Sequence, residues 1–115
     1  MKSVIWIGIL VVLVAAGGVY WYTASTAPGP YDAFARCLTE KGAIMYGTDW
    51  CHVCQSQKAL FGNSFRHVNY KNCDIVREEC EQAGVSRYPT WAIGGENHLG
   101  KRDLTALASL TGCSI

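Results

Sequence analysis

The first 22 residues are almost entirely apolar. After Met1 and Lys2, no charged residue occurs before residue 23. At about 1.5 Å per residue, a helix over residues 4–22 is roughly 28 Å long, close to the thickness of a bilayer's hydrocarbon core. The aromatic cluster at 20–22 is typical of a membrane interface. We therefore expect a transmembrane anchor at residues 1–22. The alternative is a cleaved signal peptide, for which the bulky rings and Pro28 make a poor cleavage region.

A short polar segment separates the apolar run from the rest of the chain. Residues 23–30 (TASTAPGP) contain two prolines and a glycine. This composition is typical of a linker and disfavours a helix or a strand. The sequence thus predicts a linker at 23–30 and one domain at 31–115.

Within this domain, apolar residues at helical spacing alternate with short continuous apolar runs. The pattern predicts, in chain order, helix 32–41, strand 43–46, a helix from about 51 to 61, strand 67–70, helix 77–83, strand 90–93, a turn at 94–95, strand 98–99 and helix 102–110. Helices and strands in this order are typical of an α/β fold with a mixed central sheet flanked by helices.

Composition and charge narrow the class of protein. The chain has 115 residues and a formal net charge of +1, which disfavours a disordered acidic chain and a nucleic-acid partner. Its six cysteines are typical of an oxidising compartment, where disulfides persist. A short tail before the apolar run favours export of the following domain. The sequence therefore predicts a single-pass membrane protein with its domain on the extracytoplasmic, periplasmic side.

Cys51 and Cys54 form a CxxC motif (CHVC) at the predicted start of a helix. Free backbone N–H groups and the helix dipole stabilise a thiolate at this position. Cys51 is therefore the expected nucleophile, which forms a mixed disulfide that Cys54 resolves. A protonated His52 would favour the thiolate further. This chemistry requires no bound cofactor.

The same spacing also occurs in other kinds of site. Haem attachment is excluded because Gln55 stands where the following histidine is required. Zinc binding by Cys51 and Cys54 would need further ligands, such as Cys73, Cys80 or a histidine, at a spacing that matches no common zinc finger. We expect no metal. The rival interpretation is a non-catalytic adaptor domain that binds zinc or is stapled by disulfides.

Two motifs together resemble the thioredoxin superfamily. Trp50 precedes the CxxC pair after a buried strand, and Tyr88-Pro89-Thr90 leads into another strand. The resemblance covers nearly the whole domain. It implies a thioredoxin-like fold and a thiol-disulfide oxidoreductase with a cis-proline at Pro89 opposite Cys51. The substrate groove that it implies is formed by Trp50, His52, Tyr88, Pro89 and Thr90.

The runs FARCLTEKGAIMYGTDWCHVCQSQKALFG, YPTWAIGG and LTGC more narrowly resemble the thioredoxin-like domain associated with bacterial vitamin K epoxide reductase homologues. This resemblance implies disulfide exchange with exported cysteine-containing proteins and with a membrane redox partner of that type. Two departures matter. The dipeptide His-Val inside the motif leaves the redox potential open, and Met45 stands where many thioredoxins carry a buried acid. Proton transfer at Cys54 must then use water or another group.

The remaining four cysteines allow three pairings. We favour Cys73 with Cys80, which would close a local loop, and Cys37 with Cys113, which would staple the first and last helices of the domain. The alternative role for Cys73 and Cys80 is a second redox pair that relays electrons to the CxxC motif.

Overall fold

The computed structural model describes residues 1–115, apart from the side chains of residues 25 and 26. The helices are α1 (Lys2–Thr26), α2 (Asp32–Glu40), α3 (His52–Phe61), α4 (Arg77–Gln82) and α5 (Leu104–Thr111). The strands are β1 (Ile44–Gly47), β2 (Tyr70–Asn72), β3 (Thr90–Ile93) and β4 (Glu96–Leu99). A 3₁₀ segment, Gly62–His67, follows α3 directly.

Helix α1 is long and apolar enough, over Lys2–Ala24, to cross a membrane. Its length corrects the expectation that residues 23–30 avoid helix, because residues 23–26 continue α1. The Thr23 hydroxyl donates to the Tyr20 carbonyl at 3.0 Å, a bond that a helix accommodates. The helix ends at Ala27, whose ψ of 144° is extended, because the ring of the following Pro28 disfavours helical backbone.

The four strands form one mixed sheet in the order β2-β1-β3-β4. Strand β1 runs parallel to β2, pairing Met45 with Tyr70, and antiparallel to β3, pairing Tyr46 with Thr90. Strands β3 and β4 form an antiparallel hairpin. The predicted α/β architecture with a mixed sheet is confirmed.

The main core lies between this sheet and the helices. Leu38 of α2, Phe61 of α3, Trp91 of β3 and Leu107 of α5 are all fully buried there. The rings of Phe61 and Trp91 are in contact, with centroids 6.2 Å apart. Burying these large side chains is the main source of the domain's stability, at about 1.5–3 kcal/mol for each. This packing fixes α3 against the sheet.

The predicted strand at 67–70 is misplaced by about three residues. The 3₁₀ segment occupies residues up to His67, and the pairing with β1 begins only at Tyr70. Val68 is buried where the segment ends, and its N–H donates to the Phe65 carbonyl at 2.9 Å. The apolar residues that suggest a strand thus pack as part of a tight turn.

A buried glutamine ties α3 to the rest of the domain. Gln57 accepts hydrogen bonds from the Trp91 indole at 3.1 Å and from the Arg102 N–H at 2.7 Å. Its amide donates to the Arg102 carbonyl at 2.9 Å. Because Arg102 is held in this way, α5 begins at Leu104 with Asp103 as its N-cap. The predicted start of this helix at residue 102 is therefore wrong by two residues.

Candidate functional site

The candidate site lies at the edge of the sheet where three strand ends meet. The parallel strands β1 and β2 both end there, at Gly47 and Asn72. Because β3 is antiparallel to β1, its first residue, Thr90, lies at the same edge. The loops that follow β1 and precede β3 therefore converge, and they carry Cys51 and Tyr88.

Cys51 is the N-cap residue of α3. Its Sγ accepts the Cys54 N–H at 3.2 Å, so the sulfur satisfies one of the unpaired N–H groups at the helix start. The Cys51 thiol also faces the Tyr88 carbonyl, at 3.8 Å. The residue is largely buried, with 8% of its surface exposed.

Cys54 lies one turn further along α3 and is completely buried. Burial, together with the hydrogen bond to Cys51, raises the pKa of the Cys54 thiol from its ordinary value of 9.0 to about 11. The neighbouring Cys51 and Cys54 are both free thiols in this structure. Their environments therefore differ: Cys51 caps the helix start and is 8% exposed, whereas Cys54 is completely enclosed and its raised pKa keeps it protonated.

Gly47 makes room for the buried sulfur. A Cβ atom at this position would lie 2.9 Å from Cys54 Sγ and 3.3 Å from Tyr70 Cε2. A contact at 2.9 Å would force α3 or β1 to shift, so glycine allows the end of β1 to approach α3 this closely. The sequence analysis missed this residue, because the contact joins elements that are separate in the chain.

The loop before β3 has the backbone geometry that the resemblance implies. The peptide bond between Tyr88 and Pro89 is cis. The Pro89 side chain is buried, and its carbonyl accepts the Gly100 N–H at 2.8 Å. The buried Thr90 closes the turn by donating its hydroxyl to the Arg87 carbonyl at 2.6 Å. Hydrogen bonds to Arg87 and Pro89, the residues on either side of Tyr88, thus hold its carbonyl beside Cys51.

Trp50 and His52 flank Cys51 at the surface. Trp50 is 64% exposed, yet its indole N–H donates to Asp74 at 2.7 Å. Its ring also meets the Tyr88 ring edge to face, with centroids 6.2 Å apart. His52 is exposed in the first turn of α3. Of the predicted groove residues, the structure thus places Trp50 and Tyr88 in contact with each other beside Cys51, whereas Pro89 and Thr90 are buried.

A groove of about 370 Å³ opens beside Trp50 and Tyr88. The Cys73–Cys80 disulfide forms part of its wall. The other lining residues are Asp74, Arg77, Glu81 and Val85.

Polar residues behind the site were also missed by the sequence analysis. The Tyr70 hydroxyl donates to Asp49 at 3.0 Å, and Lys58 lies 3.4 Å from the same carboxylate. Burial, followed by the hydrogen bond to Asp49, raises the pKa of Tyr70 above its ordinary value of 10.0. Tyr70 therefore stays a neutral hydrogen-bond donor. Only the four-residue spacing between Cys54 and Lys58 on a predicted helix hints at this arrangement.

The other four cysteines form two disulfides, and these are the two pairs that the sequence analysis favours. Cys37 pairs with Cys113 across 76 residues, and Cys73 pairs with Cys80 across 7 residues. The first links α2 to the end of the chain after α5, and the second links the end of β2 to α4. We call these two disulfides the staples.

No group of three or more histidine, cysteine or acidic side chains that would hold a metal ion occurs in the described part of the chain. Cys51 and Cys54 therefore have no set of nearby partners there that would complete a zinc site.

Comparison with known proteins shows a similarity to a redox protein. No protein-family model matches the chain. The chain is similar to the thiol-disulfide oxidoreductase LTO1 of Arabidopsis thaliana, with 34% identity over 101 residues. The alignment covers 79% of this chain and 27% of LTO1, so the chain spans about a quarter of the length of that relative.

Proposed function

We propose that this protein is a membrane-anchored, thioredoxin-like thiol-disulfide oxidoreductase, with its domain on the extracytoplasmic side. The observation that carries this proposal is the contrast within the CxxC pair. Cys51 lies at a helix start and is 8% exposed, whereas Cys54 is fully buried one turn behind it. The similarity to a thiol-disulfide oxidoreductase supports the same activity.

In the proposed reaction, the Cys51 thiolate attacks one sulfur of a substrate disulfide. A Cys51–substrate disulfide forms, and the other substrate sulfur leaves as a thiolate and takes a proton from water. Cys54 then loses its proton and attacks Cys51 Sγ. The mixed disulfide breaks, the Cys51–Cys54 disulfide forms, and the substrate is released as a dithiol. Two electrons have passed from protein to substrate, and the reverse sequence oxidises a substrate dithiol.

The loop at Tyr88–Pro89 supplies the backbone for substrate binding. Its Tyr88 carbonyl faces Cys51, and an extended substrate segment would pair with this backbone as an added strand. Trp50, with its large exposed ring, would cover the substrate residues next to the reacting cysteine. The groove beside it has room for a substrate side chain. The proposed substrates are exported proteins that contain cysteines.

The N-terminal helix would hold this domain at the membrane. Its length and hydropathy support an anchor, and the two staples suit an oxidising compartment. A membrane redox partner would then reset the CxxC pair after each turnover. We propose a vitamin K epoxide reductase homologue for this partner, on the strength of the sequence resemblance.

Trapping of mixed disulfides tests this function. In the full-length protein, Cys54→Ala removes the resolving thiol, so Cys51 should accumulate disulfide-linked adducts with exported proteins and with the membrane partner. These adducts should disappear on reduction, and mass spectrometry should map them to Cys51. The matched control is the double variant Cys51→Ala/Cys54→Ala. If Cys54→Ala yields no more adducts than this control, the pair is structural and the domain is a non-catalytic adaptor.

A further inference from the structure

We propose that Lys58 is a positioning residue that stabilises the thiolate formed by Cys54 when it resolves the mixed disulfide. This inference rests on the proposed function. It identifies the group that offsets the unfavourable effect of burial on ionisation of the Cys54 thiol.

The geometry places Lys58 on the same side of α3 as Cys54. The two residues are four apart, so they are neighbours on one helix face. The Lys58 ammonium lies 3.8 Å from the centroid of the Tyr70 ring and 3.4 Å from the Asp49 carboxylate. A cation held over an aromatic ring and beside a carboxylate has little freedom to turn into solvent.

Tyr70 brings this cation to the sulfur. The Tyr70 ring edge and Cys54 Sγ both face the same small gap at Gly47. The Tyr70 hydroxyl, in turn, donates to Asp49 at 3.0 Å. The three polar residues Asp49, Lys58 and Tyr70 thus form one connected cluster, which we call the Lys58 cluster, directly behind the buried thiol.

The charges around Cys54 explain why a cation is needed there. Burial is the main cause that raises the pKa of this thiol to about 11, and the hydrogen bond to Cys51 acts in the same direction. Lys58 acts in the opposite direction and favours the thiolate. Met45, which stands where the family resemblance implies an acid, is fully buried and carries no charge. Among the charged side chains of the Lys58 cluster, only Lys58 therefore lowers the cost of ionising Cys54.

The step balances without a further reactant. The Cys54 thiol gives its proton to water, and the resulting thiolate forms a bond to Cys51 Sγ. The bond from Cys51 to the substrate sulfur breaks, and that sulfur takes a proton from water. Asp49 is 72% exposed at its side chain, so its role is to hold Lys58 rather than to act as a buried base. In the reverse direction, Lys58 stabilises Cys54 as the leaving group.

A two-phase reaction with an aromatic disulfide reagent separates the two thiols. The reduced full-length protein in detergent is mixed rapidly with 5,5′-dithiobis(2-nitrobenzoate). The first release of coloured thiolate depends on reagent concentration and reports attack by Cys51. The second is independent of reagent concentration and reports resolution by Cys54. The variants are Lys58→Met, which keeps the length of the side chain without its charge, Lys58→Arg, which keeps the charge, and Asp49→Asn.

We expect Lys58→Met to slow the second phase roughly threefold to tenfold near neutral pH, the effect of one partly screened charge on thiolate formation. The first phase should change less than the second. The slowing should shrink as the pH approaches 11, where Cys54 ionises without help. Lys58→Arg should restore most of the rate, and Asp49→Asn should slow it less than Lys58→Met because the cation remains. Lys41→Met, at an exposed lysine outside the cluster, should have no effect.

An unchanged second phase in Lys58→Met would overturn the inference. Equal slowing at every pH, or no rescue by arginine, would also overturn it, because a purely structural role has no such pH dependence. These results are distinct from failure of the proposed function. In that case the unmodified protein itself would lack the two-phase release, whatever residue stands at position 58.

Discussion

The CxxC pair and the two staples use the same residue in opposite ways. Each staple joins separate elements, and three of the four cysteines in the two staples, Cys73, Cys80 and Cys113, are at most 5% exposed. In the CxxC pair, by contrast, both cysteines lie at the start of one helix and are free thiols. The comparison teaches that the position in the fold, rather than the residue type, separates a reactive cysteine from a structural one.

The largest expected effect comes from removing the Cys51 sulfur, the nucleophile of the pair. Cys51→Ser should reduce the rate of disulfide exchange by at least about a thousandfold, because a hydroxyl is not a nucleophile for disulfides. Its free energy of unfolding should change by less than about 1 kcal/mol, since no staple is lost. Exchange with a fluorescent peptide disulfide and unfolding in urea measure the two quantities. Substantial residual exchange would remove Cys51 from the mechanism.

Opening the Cys37–Cys113 staple should have the opposite effects: a large loss of stability and little change in the rate of disulfide exchange. The double variant Cys37→Ala/Cys113→Ala releases a loop of 76 residues and should lower the free energy of unfolding by roughly 4 kcal/mol. The exchange rate of the folded fraction should stay within about threefold of the unmodified protein. Urea unfolding followed by circular dichroism checks the first expectation. A folded variant without exchange activity would show that this staple shapes the site.

Alkaline pH should lower the stability of the protein more when the CxxC pair is reduced than when it is oxidised. The raised pKa of Cys54 means that the native state binds this proton more tightly than the unfolded chain does. The resulting stability is complete below pH 9 and is lost as the pH rises to about 11, by about 2 to 3 kcal/mol. We therefore expect the mildly reduced protein, with both staples closed, to lose stability in this window more than the oxidised form does.

The control for the alkaline effect is Cys54→Ala, which lacks the titrating group. Urea midpoints of this variant should fall equally with and without mild reduction. If the unmodified protein behaves in the same way, Cys54 is not the group that titrates.

The smallest effect concerns the fit between β1 and the buried sulfur. Gly47→Ala places a Cβ 2.9 Å from Cys54 Sγ, so α3 or β1 must shift. We expect a loss of about 1 to 3 kcal/mol in stability and a slower resolution step. Gly18→Ala is the matched control, because its Cβ meets nothing within 4 Å. Equal stability of the two variants in urea would show that the contact relaxes without cost.

The reactive features of this chain could be predicted because they are local in sequence. The CxxC motif and the Tyr88–Pro89 turn each lie within a few residues, and the structure places them together around Cys51. Apolar periodicity was also sufficient for α2, whose buried residues Phe34, Ala35 and Leu38 recur at helical spacing. A short apolar run was sufficient for β3, which is buried along most of its length. Helix α3 was located correctly although the residues that it buries include Gln57 and its Val53 is exposed.

The rest depends on contacts between distant parts of the chain. Gly47 and Gln57 matter through partners on other elements, which no spacing pattern reveals. Lys58 shares a helix with Cys54, but its contacts with Asp49 and Tyr70 join distant parts of the chain. The start of β2 was mispredicted because the 3₁₀ segment uses apolar residues that look like part of a strand. Residues 23–26 were mispredicted because a short polar side chain can donate a hydrogen bond to a helix carbonyl, as Thr23 does, instead of ending the helix.

Redox equilibration of the full-length protein tests the central claim most directly. The protein is incubated in glutathione buffers over a range of potentials, free thiols are alkylated, and each cysteine is assigned by mass spectrometry. We predict that Cys51 and Cys54 convert together between dithiol and disulfide in a two-electron transition above about −300 mV, while the two staples stay oxidised. If the CxxC pair does not respond to the buffer, or if the staples respond with it, the proposed division between a redox pair and structural disulfides is wrong.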